Sequence, residues 1–235
     1  MRESKALVML SGGLDSATCL YWAKEKFSDV SAITFNCYDR IQKEKEAAVQ
    51  LAKRASLSNF LEIDIPFIKE CSDFGIGTCQ KSDSRWSSYV PARNLIFYSI
   101  AAHYAEFLDI KWIVGGHNFH DGSFFKDATK NYIEKINSLF KHGCLFSNHD
   151  PCVILTPLGK MDRKHIISLA INLKVPLELT WSCHTKARRH CGECYACMQR
   201  LDAFRSLGMI DPVFFRHSKK NITISCTQWI VLLDD

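Results

Sequence analysis

The sequence contains no run of about 18 apolar residues, so no segment has the length of a membrane-crossing helix. Met1 to Leu10 carries no cleavage-site pattern, and its short apolar stretch runs straight into a glycine turn, so no export leader is expected there. Internal repeats and low-complexity tracts are absent, so solenoids and compositional linkers drop out. Neither G-x-x-x-x-G-K-[ST] nor G-x-G-x-x-G occurs, which excludes a Walker loop and a dinucleotide fingerprint. Charge of one sign is not in large excess either: the net charge is only +5. These absences lead us to expect a cytoplasmic globular chain with no membrane partner.

Cysteine is not scarce. There are eleven, an odd number, and four of them sit close together, which in a reducing compartment reads as metal ligation and not as disulfides. Positive charge is gathered late: Trp181 to Lys220 holds eight Lys/Arg against three Asp/Glu, a patch suited to phosphate-bearing ligands.

The first half of the chain alternates strand-like and helix-like stretches. Strands are predicted at Lys5–Leu10, Val30–Phe35, Phe60–Ile65, Lys111–Gly115 and Val153–Thr156. Helices are predicted at Asp15–Lys26 with Leu20, Ala23 and Phe27 on one face, at Gln42–Ala55, and at Asn94–Phe107 with Leu95, Ile96, Ile100, Ala101 and Leu108 inward. Two more are predicted at Asn131–Leu139 and, capped by Asp162, at Asp162–Leu173. Such alternation implies a parallel sheet covered on both faces, with ligands beyond the carboxyl ends of its strands. Ser11–Ser16, Asn36–Arg40 and Gly116–Asp127 are therefore the functional loops. Pro66–Val90 is long enough to be a lid or a substrate loop.

Ser11-Gly12-Gly13-Leu14-Asp15-Ser16 lies between a strand and a helix. Glycines let the backbone approach an anion, and the N–H groups at the helix start point at it. Ser11 and Ser16 add hydroxyl donors. Asp15 cannot bind phosphate directly and is a candidate Mg²⁺ ligand. Near the other end, Cys183, Cys191, Cys194 and Cys197 follow C-x₇-C-x₂-C-x₂-C, with Gly192 easing the turn. Four thiolates close a tetrahedral zinc site with no open position, hence one structural Zn²⁺ per chain, although an Fe–S cluster would use the same ligands. His184 and His190 are substitute ligands. Cys19 reads as core, and Cys37 approaches the site. Cys71, Cys79, Cys144, Cys152 and Cys226 have no ligand spacing.

The glycine loop resembles the pyrophosphate loop of the ATP-pyrophosphatase superfamily, whose members transfer AMP from ATP to a carboxylate or carbonyl oxygen. Loop and cysteine motif together resemble the 7-cyano-7-deazaguanine synthase family. Tyr89-Val90-Pro91-Ala92-Arg93-Asn94 is similar to that family's Tyr-Val-Pro-Gly-Arg-Asn. Leu155-Thr156-Pro157-Leu158, Val175-Pro176, Thr180-Trp181-Ser182-Cys183 and His190-Cys191-Gly192 also match. The resemblance covers about Lys5 to Leu207. It implies a Rossmann-like α/β ATP-pyrophosphatase domain over 1–180, a zinc-binding helical segment over 181–215, and a C-terminal extension over 216–235. It also implies adenylation of 7-carboxy-7-deazaguanine, displacement of AMP by ammonia to give an amide, and a second activation to give the nitrile. Ser11, Asp15, Ser16 and Arg93 become the catalytic set. Leu10, Gly12, Gly13, Leu14, Thr18 and Arg40 join the loop residues in binding ATP.

Two loops depart from the family. Asp-Tyr-Gly-Gln-Arg-His reads here as Asn36-Cys37-Tyr38-Asp39-Arg40-Ile41. Asp-x-Ser-Gly-Tyr-Pro-Asp-Cys-Arg keeps only Asp121, Ser123 and Asp127, the implied substrate contacts. Asp127 also reads as an N-cap of the helix from Asn131. Trp181 or Phe125 is placed to stack on the base. The departures keep a second reading open, in which the enzyme stops at the amide or passes the acyl group to a protein amine. The basic C-terminal patch supports a third, a zinc-containing nucleic-acid-binding module. Ile222–Leu233 is β-prone and reads as an edge strand or a homodimer contact.

Overall fold

The computed structural model describes residues 3–37, 40–66, 90–143 and 151–215. Most of the expected lid, Tyr89, Cys71, Cys79, Cys144, Cys226 and the whole of 216–235 lie outside them. Five strands, β1 (Glu3–Met9), β2 (Phe27–Cys37), β3 (Phe60–Ile65), β4 (Trp112–Val114) and β5 (Val153–Leu155), form one parallel sheet in the order β3-β2-β1-β4-β5. The helices are α1 (Leu14–Lys26), α2 (Gln42–Arg54), α3 (Arg93–Phe107), α4 (Phe119–Phe124), α5 (Lys130–Gly143), α6 (Arg163–Asn172), α7 (Tyr195–Arg205) and α8 (Pro212–Phe215).

The second half of the central strand, Ala6 to Met9, is a continuous apolar run because both its faces are covered. Ala6 and Val8 pack with α1, α2, α6 and α7, whereas Leu7 joins Ile33, Ile113 and Ile154 beneath α3 and α5. The chain winds outward from β1 to β3, then returns to β4 on the other side of β1. The loops leaving β1 and β4 therefore diverge, which opens a crevice at the carboxyl edge between them.

Every predicted strand and helix is present, with corrections. Phe27 is not on the helical face but opens β2, three residues before the predicted start, and packs edge-on to Trp22. The core face of α3 is Asn94, Tyr98, Ala101 and Ala105, while Leu95, Ile96 and Ile100 are half-buried. Those three and Leu108 pack against the same core cluster as expected, but apolar content alone misses the tyrosine and the asparagine that the helix also buries. Asp162 caps α6 as expected, accepting from His165 N at 2.8 Å. Asp127 does not cap α5. Thr129 Oγ1 accepts from Tyr132 N at 3.3 Å there, and the Asp127 carboxylate faces Asn94 N at the start of α3, 3.4 Å away.

Ala92, the residue preceding α3, sits in the left-handed region at φ 53 and ψ 21. An L side chain there costs roughly 1 kcal/mol, and the matching family segment has glycine. Ala92→Gly is expected to raise the free energy of unfolding by about 0.5–1 kcal/mol in urea titration. A loss of stability would show that residue 92 does not hold this conformation.

Candidate functional site

The glycine loop begins where β1 ends. Gly12 adopts φ +103, and a Cβ built on it would lie 2.3 Å from the Glu44 carbonyl oxygen on α2. No other residue fits there, so the glycine is needed for both conformation and close approach. Ser16 Oγ receives Gly12 N at 3.3 Å and donates to Gly13 O at 3.1 Å. Ser11 Oγ accepts from Gly13 N at 3.2 Å and shares a 3.1 Å hydrogen bond with Ser16 Oγ. The two serines thus brace the turn with the groups that an anion would engage. Leu10, Leu14 and Thr18 are buried, and Thr18 Oγ1 donates to Leu14 O at 2.8 Å, so these three side chains pack within the protein beside the loop.

Asp15 opens α1 at the crevice. Asn118 Nδ2 donates to its Oδ2 at 2.8 Å, and the Arg163 guanidinium pairs with Oδ1. Neither partner was foreseen. Arg163 was within reach of sequence reasoning, because an N-cap at Asp162 puts Arg163 at the head of a helix that follows a strand's carboxyl end. Asn118 is nearly fully buried and caps α4: Oδ1 accepts from His120 N at 2.8 Å and Asp121 N at 3.1 Å, while Asp121 Oδ2 accepts from Asn118 N at 3.1 Å. Burial pushes the Asp121 carboxyl up, and the Asn118 N–H pulls it back. Ser123 is exposed and its hydroxyl donates to Phe119 O at 3.1 Å, within its own helix.

Arg40 reaches the loop from β2. Its Nη2 donates to Ser11 O at 2.6 Å, and its Nη1 donates to Phe35 O at 3.1 Å and Asn36 Oδ1 at 3.0 Å. The guanidinium therefore holds the loop's backbone in place. Arg93, at the first turn of α3, bears electrostatically on Cys37, Glu44, His117 and Asp121. Glu44 is pushed up by burial and pulled back by Arg40 and Arg93. Cys19 is buried and Cys37 is half-buried, where burial raises its thiol.

The four cysteine sulfurs lie within 4.8 Å of one another. Sγ separations are 3.5 Å for Cys183–Cys191 and 4.0 Å for both Cys191–Cys197 and Cys194–Cys183. A tetrahedral ion with M–S bonds of about 2.3 Å needs sulfurs about 3.8 Å apart, so the donor set fits a single ion. Backbone N–H groups point at the sulfurs, Cys191 N to Cys183 at 3.4 Å and Cys194 N to Cys191 at 3.3 Å. The N–H groups of Cys194 and Glu193 pull the Cys191 thiol down to about 6, while burial pushes the Cys197 thiol up. His190 is no ligand: its Nε2 accepts from Ser182 N at 3.0 Å, and its ring lies against Trp181.

Two contacts fasten the cysteine segment to the glycine loop. Trp181 N donates to Gly12 O at 2.9 Å, and the Trp181 indole donates to Cys183 O at 2.8 Å. Trp181 thus bridges motif to motif. Arg200 on α7 is 1% exposed, and all five of its donors are engaged. Nε and Nη2 take the Asp211 carboxylate at 2.6 and 3.0 Å, Nη1 takes Thr180 Oγ1 at 2.6 Å and Ser182 Oγ at 3.2 Å, and Nη2 also takes Leu177 O at 3.1 Å. Removing Asp211 would strand a buried charge, a loss of about 3–5 kcal/mol. No sequence pattern announces this pair, since its partners are distant in sequence and ordinary in type. Cys194→Ser is expected to lower metal content and Tm together, read by elemental analysis and calorimetry on the same preparation. Full metal content with an unchanged Tm would remove the cysteine cluster from the list of metal sites.

Comparison with known proteins adds to this geometry. The 4-thiouridine synthetase–RNA complex with bound ATP superposes with a TM-score of 0.51 at 16% identity, covering 80% of this chain and 44% of that one. That likeness concerns the fold. A 7-cyano-7-deazaguanine synthase of Campylobacter jejuni is 35% identical over 224 residues, 91% of this chain and 99% of the relative. Another from Methanococcus maripaludis is 33% identical over 231 residues, 88% of this chain and 97% of the relative. The family model described as queuosine biosynthesis protein QueC matches residues 5–208, and the chain, with its glycine loop on the crevice and its four clustered cysteines, belongs to that family.

Proposed function

We propose that this chain is an ATP-dependent carbon–nitrogen ligase that adenylates 7-carboxy-7-deazaguanine and lets ammonia displace AMP, giving the amide and then, after a second activation, the nitrile. The observation that carries this is the 35% identity to a synthase of that name across 99% of its length. The Ser11–Ser16 loop at the crevice supports the adenylation half. The N–H groups at the start of α1 face the leaving pyrophosphate, and Ser11 and Ser16 offer hydroxyls. Arg163, paired with Asp15, supplies positive charge where negative charge develops. Arg40 and Glu44 hold the loop from behind.

Mg²⁺ would take Asp15 as its hard oxygen ligand, in competition with the Asn118 and Arg163 donors that now hold its two oxygens, and when bound it would neutralise phosphate charge. The cysteine cluster is read as a structural Zn²⁺ site, because four thiolates leave no open position. Residues 181–215 are then a metal-ordered segment seated on the ATP domain 1–180. Asp121 and Asp127 are the candidates for the amino-imino edge of the base. Asp127 also holds Asn94, so an Asn substitution there keeps an acceptor for α3.

Incubation with ATP, Mg²⁺, ammonium and 7-carboxy-7-deazaguanine should give AMP, pyrophosphate and the nitrile by mass spectrometry. Asp15→Asn and Ser11→Ala should abolish AMP and pyrophosphate release while the proteins stay folded, and undiminished AMP production in both sinks the loop assignment. Asp121→Asn and Asp127→Asn should each weaken binding of the carboxylate by about 1–3 kcal/mol in calorimetry with a non-hydrolysable ATP analogue, leaving the analogue's own affinity intact. Unaltered carboxylate affinity would move the base pocket elsewhere.

A further inference from the structure

Arg200 and Asp211 form an ion pair in which the residues are 1% and 2% exposed. Such a pair is a poor source of stability, because apolar residues of the same volume often serve as well. What apolar residues cannot supply is a directional grip. Arg200 Nη1 donates to Thr180 Oγ1 at 2.6 Å and to Ser182 Oγ at 3.2 Å, the residues on either side of Trp181. The Thr180 hydroxyl gives its own proton to Leu177 O at 2.7 Å, which leaves its lone pairs for the guanidinium. Trp181, held between them, meets the glycine loop with both backbone groups. Its N–H donates to Gly12 O at 2.9 Å, and its carbonyl oxygen would stand 3.6 Å from a Cβ on Gly13.

The acid of the pair reaches the same segment by a second route. Asp211 Oδ1 accepts from Val213 N at 3.1 Å as well as from Arg200 Nη2 at 3.0 Å, which fixes the first turn of α8. Phe214 on that turn lies edge-on to the His190 ring, with centroids 5.6 Å apart, and His190 Nε2 accepts from Ser182 N at 3.0 Å. Arg200 thus holds the side chains of residues 180 and 182, while Asp211, through α8 and His190, steadies the backbone at 182. Both routes end on the residue that grips Gly12.

We propose that the Arg200–Asp211 pair positions the glycine loop for adenylation, acting through Thr180, Ser182 and the Trp181 amide. The inference rests on the function proposed above. Arg200 is a positioning residue, since its donors are all engaged within the protein. In adenylation the carboxylate oxygen bonds the α-phosphorus of ATP, and the bond from that phosphorus to the bridging oxygen breaks. The electron pair departs on pyrophosphate, so negative charge at the loop grows as the transition state is reached. A loop held out of register therefore loses more in the transition state than in the ground state. The signature is a lower kcat at a nearly unchanged ATP KM.

The test removes the grip and leaves the ion pair. Thr180→Val keeps the shape and loses the hydroxyl, and Thr180→Val with Ser182→Ala frees Arg200 Nη1 altogether. ATP–pyrophosphate exchange with the deazaguanine carboxylate and no ammonium should show a kcat lowered severalfold in the single variant and about tenfold or more in the double. The ATP KM and the metal content should stay as in the unaltered protein, and Thr180→Ser, which restores the hydroxyl, should recover the rate. Native-state hydrogen exchange should be faster at the Trp181 amide and unchanged along β1. A lower Tm with unaltered kcat in both variants would make the pair a support of the fold alone and overturns the proposal. Loss of metal alongside the rate overturns it too, since the segment would then act through the cysteine cluster. If the unaltered protein gives no pyrophosphate exchange, the ligase reading falls by itself. Faster exchange of the Trp181 amide in the double variant would still support the pair as the holder of the loop, and an unchanged rate would overturn it.

Discussion

Gly12 is the point at which the molecule is tied together. Its carbonyl accepts the Trp181 amide, its N–H reaches Ser16 Oγ, and its α-carbon lies against the carbonyl of Glu44. Three segments far apart in sequence meet on one residue without a side chain. Any Cβ would separate α2 from the loop, and the loss would spread to the cysteine segment behind Trp181. The turn is therefore set by tertiary contacts as much as by its own φ and ψ.

Charge in the crevice is held by the same kind of mutual constraint. Asp15 is flanked by Arg163 and Asn118, Glu44 by Arg40 and Arg93, and Asp121 by the capped turn of α4. Each acid has a fixed partner before any substrate arrives. Such pairing keeps buried carboxylates affordable in a low-dielectric site and leaves the basic groups aimed where phosphate charge appears.

Much of this was legible in the sequence where chemistry and local backbone coincide. The glycine loop, the four cysteines and the α6 cap declare themselves by residue type and spacing, because the constraint acts within a few positions. The strand-then-helix alternation likewise gave the carboxyl edge as the ligand side. The illegible part consists of contacts made across the fold. Arg200 with Asp211, Asn118 with Asp15, and Asp127 with α3 join ordinary residues that only packing brings together. The buried face of α3 escaped for a related reason: Asn94 and Tyr98 are polar at one end, and burial scales weigh them as surface residues.

Trp181 has one further consequence. It touches Gly12 through its amide and Cys183 through its indole, so the nucleotide loop and the metal knuckle lean on a single residue. Binding free energies are state functions, and two ligands that steady the same residue must influence each other symmetrically. By whatever factor an occupied cysteine cluster tightens the grip on ATP, ATP tightens the grip on the metal.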